Sequence, residues 1–89
     1  MSEVISNVEW EDGARKKYQL MITKIPLFHR DIAQVVVDKK AEINAQERGS
    51  KMIEEKDIVA AFLSEVPKTF YSLMIRLFDE VGFDYKDGQ

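Results

Sequence analysis

The sequence predicts an all-α fold, a compact four-helix orthogonal bundle with a three-helix core and an extra C-terminal helix. Apolar residues recur every three or four positions along most of the chain, as they do on one face of a helix. Proline and glycine mark the boundaries of these stretches, at Pro26, Gly49, Pro67 and Gly82. Because 89 residues suffice for one modest core, we expect a single domain over residues 1–89. Its helices are predicted over residues 11–25, 26–48, 54–66 and 67–81, followed by a frayed tail over residues 83–89.

The first predicted helix carries one apolar stripe. At 100° per residue, five side chains fall within an arc of roughly 100°. They are Ala14, Tyr18, Met21, Ile22 and Ile25. Trp10 stands just before the helix and is expected to fold onto this stripe. Pro26 ends the first helix and opens the second, because its missing N–H is not needed in the first turn of a helix.

The second predicted helix is apolar on two sides. One side is bulky and consists of Phe28, Ile32, Val35, Val36 and Ile43. The other is richer in alanine and consists of Leu27, Ala33, Val37, Ala41 and Ala45. A helix that is hydrophobic nearly all round is usually buried, so we expect this one at the centre of the bundle. Its small side chains would let a neighbouring helix approach closely.

A short connector separates the second and third helices. Residues 50–53 are too few to act as a strand unless another segment or chain pairs with them. Glu54, Glu55 and Asp57 then place negative charge in the first turn of the third helix, where each is worth roughly 0.3–1 kcal/mol. The buried arc of that helix is predicted to contain Ile58, Val59, Phe62, Leu63 and Val66.

The fourth predicted helix has an apolar arc of roughly 200°, wider than the 100° or so that a helix at the edge of a bundle usually buries. One interpretation is that Phe83, Tyr85 and the aromatic residues of the first helix fold over it. The other is that it binds a protein partner or a second copy of the chain, because large apolar side chains are unfavourable in water by about 25 cal/mol per Å². The predicted interface residues are Phe70, Tyr71, Met74, Leu77, Phe78 and Val81.

The composition excludes several kinds of chemistry. With no cysteine, the chain cannot form disulfides or cysteine-ligated metal sites, and one histidine cannot build a multi-histidine metal site. The sequence has no glycine-rich phosphate loop, and its carboxylate pairs lie at helix ends or on outer faces, without an apolar pocket that would raise a pKa. We therefore expect no catalytic residues, no metal and no cofactor, in a protein that is not an enzyme.

Three residues surround the corner between the first two helices. Lys24, His29 and Arg30, together with free N–H groups at the start of the second helix, form a candidate site for a carboxylate or phosphate. Similar corners occur in bundles that bind nothing. His29 has two interpretations, an axial imidazole ligand to a tetrapyrrole metal or an exposed histidine that packs by its ring edge.

Charge is unevenly distributed along the chain. Nine basic and four acidic residues lie between Arg15 and Lys51, giving that segment a charge of +5, although the whole chain carries −3. A short helix, a long central helix, a brief connector and an acid-capped third helix loosely resemble the histone arrangement, which makes a nucleic-acid-binding protein the alternative function. The acidic isoelectric point near 5.1 and the spread of basic residues over several helix faces favour a solvated surface instead.

Part of the sequence resembles a known family. The shared features are Trp10, Ala14, the run Lys24-Ile25-Pro26 with Phe28 and Arg30, Ala41-Glu42, Gly49, and Ile53-Glu54-Glu55 with Ile58 and Ala61. In this order and spacing they resemble the small domain at the carboxyl end of the light-independent protochlorophyllide reductase B subunit, which also occurs as stand-alone proteins. The resemblance implies a helical accessory domain that contacts a larger complex, or its tetrapyrrole substrate. It does not imply reductase activity, since that depends on iron–sulfur clusters.

The expected location is the cytoplasm. No apolar run approaches the eighteen or so residues of a membrane span, and Met1 to Val4 lack the basic and apolar regions of a signal peptide. We therefore expect a soluble protein whose partner is another protein or a second copy of itself, with no membrane contact and no nucleic acid.

Overall fold

The computed structural model describes residues 8–85 and confirms the all-α class. Its elements are β1 (Glu9–Trp10), α1 (Asp12–Thr23), α2 (Leu27–Glu47), β2 (Met52–Ile53), α3 (Glu55–Glu65), a 3₁₀ turn (Lys68–Phe70) and α4 (Tyr71–Val81). The ends of α1, α2 and α3 lie within two residues of the predicted ones. The last helix begins four residues later than predicted, because the 3₁₀ turn follows Pro67. Within the described range, no helix has the length and apolar character needed to cross a membrane.

Local chemistry explains where the helices begin and end. The side chain of Glu11 accepts a hydrogen bond from the N–H of Ala14 at 2.8 Å, which satisfies one free donor of the first turn of α1. At the start of α3, the Asp57 carboxylate accepts from the N–H of Glu54 at 2.8 Å. Gly49 and Gly82 follow α2 and α4 with φ angles of 75° and 91°, the left-handed conformation that glycine adopts without steric conflict.

The connector after α2 does form a strand, because a second segment pairs with it. β1 and β2 are parallel, with Glu9 opposite Met52 and Trp10 opposite Ile53. The N–H of Glu9 donates to the carbonyl of Lys51, and the N–H of Glu11 donates to that of Ile53, both at 3.0 Å. This pairing ties the segment before α1 to the loop before α3.

One core lies between the four helices. Its centre contains Phe62 of α3 and Phe78 of α4, both fully buried, whose ring centroids are 5.9 Å apart. The ring of Tyr18, from the stripe of α1, lies 5.9 Å from Phe62. Trp10 stacks on the outer side of Tyr18 at 5.1 Å. The predicted apolar stripe of α1 is buried: Ala14, Tyr18, Met21, Ile22 and Ile25 are all core residues.

The prediction that α2 lies at the centre of the bundle is wrong. Only its alanine-rich side enters the core, where Val37, Ala41 and Ala45 are fully buried. The bulky side faces outward, with Phe28 80% exposed and Ile32 69% exposed. α2 therefore lies at the edge of the bundle, since α1 and α3 pack against one side of it and the opposite side is exposed.

The predicted fraying of the tail is also wrong for the part of it that the structure describes. Phe83 is buried, and its ring meets that of Phe78 edge-on at 5.8 Å. Tyr85 stacks on the same ring from 5.8 Å. Residues 86–89 of the predicted tail lie outside the described residues. The chain after α4 thus covers the wide apolar arc of that helix, which was the first of the two interpretations.

Candidate functional site: the exposed face of the second helix

Five of the eight large apolar side chains that are exposed among residues 8–85 lie on the N-terminal half of α2. We call this surface the α2 face, and its residues are Leu27, Phe28, Ile32, Val35 and Val36. Leu27, predicted on the alanine-rich side, does not enter the core; it is 75% exposed at the first residue of α2 and adjoins Phe28. Phe70, 45% exposed in the 3₁₀ turn, faces the same groove as Ile32 and Val36 and extends the surface. Together these six side chains present on the order of 700 Å², more than the ~300–600 Å² of the largest apolar patch on a typical monomer. Exposed apolar patches of this size occur mostly at binding sites, which makes the α2 face the candidate functional site.

A groove runs along one side of the α2 face. It separates α2 from the 3₁₀ turn and the start of α4, and its volume is about 240 Å³. Buried Val37 and Met74 form its floor, whereas exposed Ile32, Val36 and Phe70 stand at its edges. Pockets for small molecules usually measure roughly 300–1,000 Å³, so this groove suits one or two apolar side chains of a protein better than a whole ligand.

A second, wider cleft lies on the other side of the α2 face. It has a volume of about 500 Å³ and opens between α2 and the two short strands. Trp10, Val35 and Ile53 give it apolar walls, and Asp38, Lys39 and Glu42 make part of its lining polar. Phe28, Ile32 and Val35 are therefore the crest of a ridge with a depression on each side.

A partly buried polar pair, Tyr18 and Asp38, lies beside the wider cleft, which Asp38 lines. The hydroxyl of Tyr18 donates to Oδ1 of Asp38, and it lies 3.3 Å from the carbonyl oxygen of Gln34. Burial, with the hydrogen bond to Asp38, raises the pKa of Tyr18 far above its usual value, so the phenol stays protonated and remains a donor. Burial also raises the pKa of Asp38, although the hydrogen bond from Tyr18 lowers it in part. The pair joins α1 to α2.

The predicted interface on α4 is mostly inside the protein. Met74, Leu77, Phe78 and Val81 are at most 8% exposed, because α1, α3 and the chain after α4 pack against them. They are not available to a partner, and this part of the prediction is corrected. Of the other two predicted residues, Phe70 is exposed.

Tyr71, the last of the six predicted interface residues, is half-buried, and its hydroxyl donates to the carbonyl of Leu63. Its polar end therefore already has a partner within the protein. The predicted surface thus moves from α4 to α2, with Phe70 common to both.

The predicted anion corner does not gather its three side chains around one point. Nη2 of Arg30 donates to the carbonyls of Thr23 at 2.9 Å and Ile25 at 3.1 Å, and so caps the end of α1. Nζ of Lys24 lies 3.4 Å from a carboxylate oxygen of Glu80. His29 is exposed at the groove, with its ring centroid 4.1 Å from that of Phe28. This position agrees with an exposed, packed histidine.

Several basic residues are held in contacts within the protein. Besides Arg30 and Lys24, Nζ of Lys17 contacts Glu55 at 2.7 Å and the carbonyl of Gly82 at 3.0 Å. Arg48 pairs with buried Asp57. These contacts occupy four of the nine cations between residues 15 and 51, and they weaken the case for a phosphate-binding surface.

Comparisons with known proteins leave the family unassigned. No protein-family model, curated protein or solved structure matches this chain. The resemblance to the reductase domain therefore stays a prediction. Within residues 8–85, no group of three or more His, Asp or Glu side chains is placed to hold a metal ion.

The sequence predicted which residues of the α2 face lie together but not that they are exposed. Helical spacing grouped Phe28, Ile32, Val35 and Val36 correctly on one side of α2. The sequence held a second indication of which side of α2 faces the core: the opposite side is rich in alanine, and small side chains allow close packing against α3. Which side faced solvent depended on where the remaining helices packed.

Proposed function

We propose that this chain is a non-catalytic protein-interaction module that binds an apolar helical surface of its partner through the α2 face. The observation that carries the proposal is the exposure of Leu27, Phe28, Ile32 and Val35, each at least 68% exposed within nine residues of one helix. Keeping such a stripe in water is unfavourable, by about 25 cal/mol for each Å² that a partner could cover.

The shape of the site supports a protein partner. Grooves that accept an amphipathic helix are long, apolar and edged by polar residues, and they bind side chains spaced at three, four and seven positions. The groove beside α2 is apolar along its floor and has His29 and Glu65 on its lining. The ridge itself has this spacing, since Phe28, Ile32 and Val35 lie four and seven positions apart.

The family resemblance supports the same kind of role. A small helical domain that accompanies the protochlorophyllide reductase B subunit acts, in that interpretation, as an accessory module that contacts a larger complex. The proposal for this chain needs no tetrapyrrole, because the residues of the α2 face offer apolar contact. It assigns no catalytic role to any residue.

Site-specific photo-crosslinking in the cells that make the protein tests the proposal. A photoreactive phenylalanine analogue at position 28 or 32 should yield covalent adducts with protein, either another protein or a second copy of this chain. The matched control places the same group at Ser72, an exposed position on α4 that lines neither depression. Adducts at the α2 face and not at Ser72 support the proposal. Equal yields at all three positions, or none, would overturn it.

A further inference from the structure

We infer that the protein bound by the α2 face is a second copy of this chain, in a two-fold symmetric dimer with the two α2 helices packed antiparallel. This inference rests on the proposed function and names the partner. It follows from three properties of the surface: its area, its shape and the arrangement of charge around it.

The area matches what a stable dimer needs. Two copies that cover the α2 face and Phe70 remove on the order of 700 Å² each, about 1,400 Å² in total, which lies within the roughly 1,200–2,000 Å² of standard interfaces. Six of the eight large apolar side chains exposed in the described part of the chain belong to this surface. The other two, Leu20 and Met52, line neither depression.

The shape is self-complementary. In a two-fold interface each surface patch meets a copy of itself, so the patch must contain both a projection and a hollow. The α2 ridge supplies the projection, and the 240 Å³ groove directly beside it supplies the hollow. A two-fold axis between Ile32 and Val35 keeps the groove on the same side of both copies, so the two ridges meet at the axis. The crossing angle of two packed helices then brings one end of each ridge over the groove of the other copy.

The charges along α2 fit the same antiparallel arrangement. With the axis between Ile32 and Val35, Ile32 of one copy lies opposite Val35 of the other. At 1.5 Å per residue, Asp31 then lies about 5 Å along the helix direction from Lys39 of the second copy, within reach of a lysine side chain. Asp31 and Lys39 are both exposed. Asp31 borders the stripe beside Val35, and Lys39 lies one turn beyond Val35, at the C-terminal end of the stripe. A parallel pair would set like charges opposite each other.

Sedimentation equilibrium of the purified full chain tests the dimer. The wild type should be dimeric, and the double variant Ile32→Gln/Val35→Gln should raise the dimer dissociation constant about 100-fold or more, because both side chains lie at the centre of the interface. The helical circular dichroism should not change, since both side chains are already exposed. Leu20→Gln, an apolar-to-polar change on α1 outside the face, should leave the constant within a few-fold of wild type. A wild type that stays monomeric up to about 1 mM, or a double variant that associates as tightly as wild type, would overturn the inference.

Cysteine cross-linking tests the position of the axis, in a chain that has no native cysteine. A Val35→Cys variant should form a covalent dimer with a short bis-maleimide reagent. The control, Gln46→Cys, lies on the same side of α2 but three turns away, and two copies of it would be separated by roughly 35 Å or more along the helices. Cross-linking at position 46 and not at 35 would contradict the antiparallel arrangement.

The two proposals fail in different ways. If the purified chain is monomeric but the photoreactive group at position 32 captures a different protein in cells, the dimer is wrong and the interaction module stands. If the chain is monomeric and nothing is captured, both proposals are wrong.

Discussion

Arg48 and Asp57 form a bidentate ion pair that joins the end of α2 to the first turn of α3. Nε of Arg48 lies 2.9 Å from Oδ1 of Asp57, and Nη2 lies 2.7 Å from Oδ2. Asp57 is 2% exposed and is the one charged side chain buried within the described residues. Its hydrogen bonds raise the pKa of Arg48, so the guanidinium remains charged. Asn44 strengthens the same junction, since its Nδ2 donates to the carbonyl of Asp57 at 3.0 Å.

Removing Arg48 should therefore destabilise the fold. We expect Arg48→Ala to lower the free energy of unfolding by about 2 kcal/mol, because the Asp57 carboxylate stays buried and loses two charged hydrogen bonds. Urea denaturation followed by circular dichroism measures the change. Arg76→Ala, on the exposed side of α4, is the matched control and should change stability by no more than about 0.5 kcal/mol. Equal effects of the two substitutions would show that the ion pair does not stabilise the junction.

The pair of Tyr18 and Asp38 should make stability depend on pH. Since burial raises the pKa of Asp38 in the folded protein, ionising this carboxyl is harder there than in the unfolded chain. The protonated carboxyl therefore stabilises the fold at pH values below the pKa that Asp38 has in the unfolded chain. This stabilisation is lost as the pH rises through the pKa that Asp38 has in the folded protein. Asparagine does not ionise, so Asp38→Asn lacks this pH-dependent loss. The free energy of unfolding of the variant, relative to that of wild type, should therefore be higher at about pH 7 than at about pH 4. Urea denaturation at both pH values measures this, and a constant difference would contradict the prediction.

Tyr18→Phe should have the opposite pH dependence. The hydrogen bond from the Tyr18 hydroxyl lowers the pKa of Asp38, so losing it hinders ionisation further. The destabilisation should be about 1 kcal/mol and should be larger at neutral pH than at about pH 4. Urea denaturation of the double variant Tyr18→Phe/Asp38→Asn, compared with the two single variants, measures the interaction energy between the two side chains. If the two single effects simply add at neutral pH, the two side chains are not coupled.

Phe78 and Phe28 should respond differently to the same substitution. Phe78 is fully buried between Phe62, Phe83 and Tyr85, so Phe78→Ala should cost about 3–5 kcal/mol. Phe28 is 80% exposed, and Phe28→Ala should change the stability of the monomer by about 0.5 kcal/mol or less. Thermal unfolding at several protein concentrations checks both. Any larger effect of Phe28→Ala should depend on concentration, since it would come from association.

Two glycines should give changes of opposite sign. Gly82 has a φ of 91°, so Gly82→Ala should destabilise the fold by about 1 kcal/mol through backbone strain. Steric contact adds nothing, because the new Cβ would lie no closer than 3.8 Å to Lys17. Gly13 lies in the first turn of α1, where a Cβ would meet the Glu11 side chain at 3.4 Å. Gly13→Ala should therefore stabilise, by less than about 1 kcal/mol. Thermal unfolding measures both, and a stabilising Gly82→Ala would mean that the turn after α4 tolerates another conformation.

The sequence by itself determined the helices of this protein and the side chains that share each helix face. Local rules sufficed because they depend on neighbours within a few residues: the proline that opens α2, the glycines that end α2 and α4, and the carboxylates at the start of α3. The same rules placed Trp10 beside the stripe of α1 and identified the condition under which residues 50–53 become a strand.

Only the tertiary structure decided which apolar faces are covered. The wide arc of α4 is buried because α1, α3 and the rings of Phe83 and Tyr85 reach it from several directions. The bulky side of α2 is left outside because the alanine side, around Ala41 and Ala45, packs closely against the core. A helical wheel gives the direction of each side chain from its own axis, whereas burial depends on the positions of the other helices, which are set by contacts between residues far apart in the chain.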